Sequence, residues 1–231
     1  MTGDDSLAVA YAAIQRRVSE AATRAGRDPA TVSVMAVTKT RGRATVDAAL
    51  RLGITSLGEN RVQEARDKFG GDPVPDGVVL SLIGSLQTNK AKQAVALFDL
   101  IESVDRVSLV EALARAAADR TSPLPVLIQV NVAAEAQKAG CAVEDAGRLA
   151  LAVAATKVLL PVGVMTIAPL VEDADDVRPV FRTLRQLRDT VRESVPTLDA
   201  LSMGMSNDLD VAIEEGATAV RVGRALFGDR G

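Results

Sequence analysis

Three short stretches of the sequence carry residues able to do chemistry together. The first is Lys39, near the end of the run Thr31–Thr40, TVSVMAVTKT. The second is Ser202-Met203-Gly204-Met205-Ser206, and the third is Arg221-Val222-Gly223-Arg224. A lysine amine can condense with a carbonyl carbon to form a Schiff base. A serine beside glycine at a helix start suits an anion such as phosphate, because the first N–H groups of a helix lack partners. Each stretch also has an ordinary use. Lys39 either escapes to solvent at a strand end or is held in a pocket, and the two turns can be capping and turn chemistry alone.

Composition removes several alternatives. The 231 residues include no histidine and one cysteine, Cys141. A Ser-His-Asp triad is therefore impossible, and a zinc site would need mostly carboxylates, so no metal is expected. Cys141 reads as a small loop hydrophobe, since no histidine is there to activate it. A single cysteine also excludes an internal disulfide and suits a reducing compartment. The 27 basic and 30 acidic residues leave a net charge of −3 with no basic run, so no nucleic-acid surface is expected. The polar, acidic opening Met1–Ser6 does not read as a signal peptide, and no apolar run is long enough to span a bilayer. A cytoplasmic protein without membrane contact is the expectation.

The elements that would position these residues alternate. Residues 5–26 form an amphipathic helix, with Leu7, Ala10, Tyr11, Ile14 and Val18 at helical spacing and Gly26 as its stop. It is expected to cover one end of the sheet or barrel. The apolar run before Lys39 is a strand covered on both faces. Strands follow at 54–58, 78–83, 100–104, 126–131, 159–167, 198–203 and 219–222. Helices lie at 44–52, 62–69, 89–97, 107–120, 143–155, 176–195 and 207–215, and a last turn starts at Arg224. Arg182, Arg185, Arg188 and Arg192 fall off the apolar stripe of helix 176–195 and read as a solvated face. Eight short strands, nearly all followed by helix and with no linker, predict one α/β domain over residues 1–231, closed as a (βα)8 TIM-like barrel with an extra N-terminal helix. An open doubly wound sheet is the alternative, but the residues after the first strand lack the glycine spacing it would want.

A barrel gathers function at the C-terminal ends of its strands. Those ends here are Lys39, Glu59-Asn60, Gly84, Ser103, Asn131, Thr166, Ser202-Met203-Gly204 and Arg221-Val222-Gly223. Phosphate sites recur after strands seven and eight of this fold. A lysine and a phosphate site at one mouth fit a sugar-phosphate aldolase, or a protein holding pyridoxal 5′-phosphate (PLP) through its aldehyde.

The order of motifs then resembles the PLP homeostasis protein family, related to the N-terminal barrel of alanine racemase. The motifs are Ala36-Val37-Thr38-Lys39, Gly58-Glu59-Asn60, Ile83-Gly84-Ser85-Leu86-Gln87-Thr88-Asn89-Lys90, Gln129-Val130-Asn131, Gly163-Val164-Met165, Ser202-Met203-Gly204-Met205-Ser206-Asn207 and Val220-Arg221-Val222-Gly223. This resemblance implies that Lys39 holds PLP as an internal aldimine. It implies that Ser206 and the N–H groups of Gly223 and Arg224 take the phosphate, that Arg221 faces the pyridine nitrogen, and that Asn60, Met165 and Ser202 line the site. An arginine at that nitrogen disfavours its protonation and makes the ring a poorer electron sink, which suits a holder of PLP. PLP-dependent apo-enzymes are the candidate recipients, and a monomer is expected.

Two departures stand out. Arg61 follows Asn60 where the family often has tyrosine, and Leu80-Ser81-Leu82 replaces a segment that usually contains histidine. Racemisation needs acid–base groups on both faces of Cα. The only tyrosine, Tyr11, lies in the first helix, and no second β-rich domain is evident, so racemase activity is not expected. Among other lysines, Lys90 and Lys92 read as solvated, with a second anion or transfer site as the alternative. Lys138 could receive PLP in transit. The acidic loop 172–176 reads as solvated.

Overall fold

The computed structural model describes residues 3–135 and 137–228. Eight parallel strands close into a barrel in sequence order: β1 (Ser33–Val37), β2 (Ser56–Glu59), β3 (Val79–Leu82), β4 (Leu100–Val104), β5 (Leu124–Gln129), β6 (Leu159–Met165), β7 (Ala200–Ser202) and β8 (Ala219–Val222). β8 returns to pair with β1, Met35 opposite Arg221. Each strand is followed by a helix: α2 (Arg43–Arg51), α3 (Val62–Phe69), α4 (Ala91–Leu97), α5 (Val107–Ala116), α6 (Ala146–Ala155), α7 (Arg178–Arg192), α8 (Leu209–Glu214) and α9 (Arg224–Phe227). The preceding helix, α1 (Gly3–Arg24), is the expected extra one. The architecture is the closed (βα)8 barrel that the alternation predicted.

The core follows from the two-residue period of strands. Val34 and Ala36 of β1 face the helices and join the main core with residues such as Phe69, Phe98 and Phe181. Met35 and Val37 belong instead to a separate interior cluster with Ile83. The same alternation carries Lys39 to the interior side, one step above Val37. Burial of each large side chain in the outer layer contributes about 2 kcal/mol, so the ring of helices holds the barrel closed.

Element ends differ in places. α5 stops at Ala116, short of 120, where Arg120 turns to donate from Nη1 to the Val95 carbonyl. β5 begins at Leu124 and accommodates Pro125, which the expectation left outside. α1 ends as expected: Gly26 adopts φ +66, and Arg27 N–H reaches the Ala22 carbonyl in a Schellman arrangement. Rather than capping an end of the barrel, α1 packs on α8, α9 and α2, along the seam where β8 meets β1. Arg182 and Arg192 are each 51% exposed, in keeping with a solvated face, yet the α7 arginines also pair with carboxylates. Arg182 Nη2 lies 2.9 Å from Glu215 Oε1 and Arg178 Nη2 lies 2.8 Å from Glu214 Oε2, because the polar face of α7 looks across at α8. Among the described residues, no helix is long and apolar enough to cross a membrane.

Candidate functional site

A cavity of about 1080 Å³ opens at the C-terminal ends of the strands. Lys39, Asn60, Ser206, Arg221, Gly223 and Arg224 line it. Met165 and Ser202 do not; both are fully buried beneath it, paired in register across β6 and β7. The structure thus brings most of the sequence-derived residues to one opening and places two under its floor.

Lys39 sits on a tightly held turn. Thr38, just before it, is fully buried and donates from Oγ1 to Glu59 Oε1 at 2.7 Å. The Thr38 carbonyl accepts from Lys68 Nζ at 2.8 Å, and the same ammonium donates to Glu59 Oε1 at 2.5 Å. Thr40, just after Lys39, has φ +63, a left-handed conformation strained for a β-branched residue. Its N–H donates to Glu64 Oε1. Burial pushes the Glu59 carboxyl above the usual carboxylate range, opposed by its hydrogen bonds from Lys68 and Thr38. Its second oxygen, Oε2, is buried without a hydrogen-bond partner among the described residues.

On the far side of the opening the two expected anion turns are joined. Ser206 does not cap the helix after β7. The cap position is Asp208, whose Oδ1 accepts the Met205 N–H at 2.5 Å. Ser206 Oγ instead accepts the N–H of Ala225, in the first turn of α9, at 3.1 Å. The chain reaches this arrangement because Gly204 adopts φ +88 against Ala212, where an added Cβ would lie 2.5 Å from the alanine Cβ. With its oxygen engaged as acceptor, the Ser206 hydroxyl keeps its hydrogen to donate. Among the described residues nothing demands glycine at 223: an added Cβ would meet Val37 at an ordinary 3.5 Å. Arg17 of α1 steadies the turn, donating from Nη1 to the Ser206 carbonyl at 2.9 Å and from Nε to Asp210 at 3.1 Å.

Between these two sides lies Arg221. It is buried, donating from Nη1 to Ser202 Oγ and from Nη2 to the Thr166 carbonyl, each at 2.6 Å. Ser202 passes the interaction on, donating to Glu102 Oε2 at 2.6 Å. Burial pulls the guanidinium below its ordinary value, while Glu102 and Asp208 oppose this. The Glu102 carboxyl is pushed up by burial, against the Arg221 charge and the Ser202 hydrogen bond. A guanidinium stays charged throughout, so the floor of the cavity presents a fixed cation.

The model of the family described as "Alanine racemase, N-terminal domain" matches residues 9–231. The pyridoxal phosphate homeostasis protein of Pseudomonas aeruginosa is 40% identical over 225 residues, which span 97% of this chain and 96% of the relative. That of Aquifex aeolicus is 41% identical over 221 residues, 94% and 95% of the two chains. The chain belongs to the pyridoxal phosphate homeostasis protein family. Among solved structures, PipY of Synechococcus elongatus with PLP bound is similar to it at 34% identity and a TM-score of 0.77, covering 91% of this chain and all 100% of that one.

Several residues of this family member were not singled out by sequence reasoning as site residues. Glu102 was hidden in the apolar strand Leu100–Val104, although a charge in the middle of such a strand is itself a signal of an interior partner. Glu59 was noted as a strand exit and within the motif Gly58-Glu59-Asn60, with no role of its own. Lys68 and Glu64 fall in the predicted helix 62–69 and were given no role there. Lys138 lines the cavity and donates from Nζ to the Ile167 carbonyl at 3.5 Å, whereas Lys90 and Lys92 lie away from it. Glu172 lines the cavity rather than being merely solvated, while Asp175 pairs with Arg178. Ser81, at the position of the family histidine, is fully buried with an Oγ that has no partner among the described residues. Tyr11 borders a small cleft with Val32 and Val34, toward the start of β1 and away from Lys39. Burial raises the Cys141 thiol to about 12, out of range of a neutral-pH nucleophile. No metal-holding group of side chains occurs among the described residues.

Proposed function

We propose that this chain binds PLP at the barrel mouth, through a Schiff base on Lys39, and serves in the intracellular homeostasis of the cofactor. The observation that carries this reading is the placement of Lys39 and the joined Ser206–Ala225 turn on one cavity, with Arg221 on its floor. The donor set fits the ligand. An amine meets the aldehyde, a serine hydroxyl and the N–H groups of Gly223 and Arg224 meet the phosphate, and a fixed cation meets the pyridine nitrogen. Gly223, which the protein's own packing does not require, leaves space on the phosphate side. Asn60 lines the wall, and Met165 and Ser202 support the floor from beneath. Bound PLP supplies an aldehyde for exchange with other amines.

The residues that stay with the protein favour holding over turnover. Arg221 keeps a proton off the ring nitrogen, because a guanidinium does not give one up. The tyrosine that could act as a second acid or base is remote from Lys39, and Ser81 is no base at neutral pH. We therefore assign the chain to storage and delivery of PLP in the cytoplasm, as a monomer, with PLP-dependent apo-enzymes as recipients.

The test is spectroscopic. Purified protein mixed with PLP is expected to turn yellow, to bleach with borohydride, and to carry the reduced adduct on Lys39 by peptide mass spectrometry. Lys39→Ala is expected to lose the band entirely while still binding pyridoxine 5′-phosphate, which has no aldehyde. An adduct on another side chain in the wild type, or no colour at all, would sink the assignment.

A further inference from the structure

The geometry points to Glu59, Lys68 and Glu64 as positioning residues that fix the backbone on both sides of Lys39 and so aim its amine, an inference that rests on the PLP-binding reading above. Ahead of Lys39, Lys68 Nζ takes the Thr38 carbonyl at 2.8 Å, and Glu59 takes the Thr38 hydroxyl at 2.7 Å. Behind it, Glu64 takes the Thr40 N–H. Lys68 ties the two carboxylates together, at 2.5 Å from Glu59 and 3.4 Å from Glu64. All these groups come from β2 and α3, so one neighbouring βα unit grips the turn after β1.

Two features argue that the grip serves more than folding. The side chains of Glu59 and Lys68 are 0% and 7% exposed. A buried ion pair is a poor source of stability, because desolvation offsets its attraction, and its best use is to specify one geometry. Thr40 is also held in a strained left-handed conformation. Strain of this kind persists only where surrounding contacts over-determine it. A lysine side chain has four rotatable bonds, and fixing its base restricts where the amine can go.

The consequence lies in the covalent step. The unprotonated Lys39 amine adds to the PLP aldehyde, and one water leaves as the C=N bond forms. Loss of the grip misplaces the amine without touching the phosphate turn. Rates of such steps fall steeply with small displacements of the reacting atom.

Lys68→Met and Glu64→Ala test this against the wild type. Glu64 has a side chain 28% exposed, so its truncation keeps the fold, whereas Lys68→Met leaves buried Glu59 without its cation. Both variants are expected to bind pyridoxine 5′-phosphate within about twofold of the wild type, yet to form the yellow band with PLP about tenfold or more slowly. Lys68→Arg, which keeps the cation, is expected to recover part of the rate. Equal loss of both ligands, or an unchanged rate in Glu64→Ala, overturns the inference. If the wild type forms no band, the PLP reading fails by itself. Hydrogen exchange of the Thr40 amide without ligand then decides the grip: about tenfold faster exchange in Glu64→Ala supports it, and unchanged exchange refutes it.

Discussion

Charged side chains serve two regions of this molecule in different ways. On the outer wall, the arginines of α7 keep part of their length in water: Arg178, Arg182 and Arg185 converge on Glu215, the buried residue that ends α8, and Arg192 pairs with exposed Asp199 ahead of β7. At the mouth, Glu59, Lys68, Glu102 and Arg221 are buried, and one Glu59 oxygen is left without a partner among the described residues. The outer array surrounds its one buried carboxylate with guanidiniums that stay near water and lose little solvation. The interior set keeps charges in a place where apolar side chains of similar volume would cost less. Such an arrangement is tolerated where the charges have a task, here to hold Lys39 and to present Arg221.

Glu102→Ala offers the largest expected effect and the most direct way to break the contrast. It leaves Arg221 buried without its nearest carboxylate on the Ser202 path, a loss expected to cost about 3–5 kcal/mol by urea denaturation. A cost below about 1 kcal/mol would show that the interior is not the expensive region. Next comes Glu215→Gln. Burial alone would raise the Glu215 carboxyl, but the hydrogen bond and charge of Arg182, with Arg185 and Arg178, outweigh it and hold it below the usual range. A lowered folded-state value means that the stabilisation is present above the ordinary carboxylate pKa and fades as the pH falls through the folded one. The variant is expected to lose about 2 kcal/mol at neutral pH and to converge with the wild type as the pH falls through that lowered value. The smallest effect belongs to Arg192→Ala, whose pair is 51% and 66% exposed. Its thermal midpoint should move by no more than about 0.5 kcal/mol warrants. A larger shift would mean that the outer array acts as one network.

Legibility differed along the same line. The barrel could be read because short apolar runs alternate with amphipathic stretches, and that period is a local property of the chain. Lys39, Ser206, Arg221 and Gly223 could be read because strand exits of a barrel converge. The partner of Ser206 could not. Its contact with Ala225 depends on how two loops from different units settle, and a serine just ahead of a helix looks like that helix's cap. Lys68 was invisible for a similar reason: on α3 its spacing matches any solvated lysine, and only the fold turns it inward to Thr38. Met165 and Ser202 came from resemblance, and their place beneath the floor is a matter of strand register that no spacing reveals.

The docking of α1 sets an order of events. Arg17 reaches the Ser206 carbonyl across 189 positions of sequence, and β8 must lie on β1 for that contact to exist. A ribosome releases the first helix long before the last strand is made. That helix must therefore wait, undocked, until β8 has emerged. Contacts that span so much of a chain are slow to close. The turn at Ser206 would take its final form in one late step of assembly, when α1 and β8 first come together.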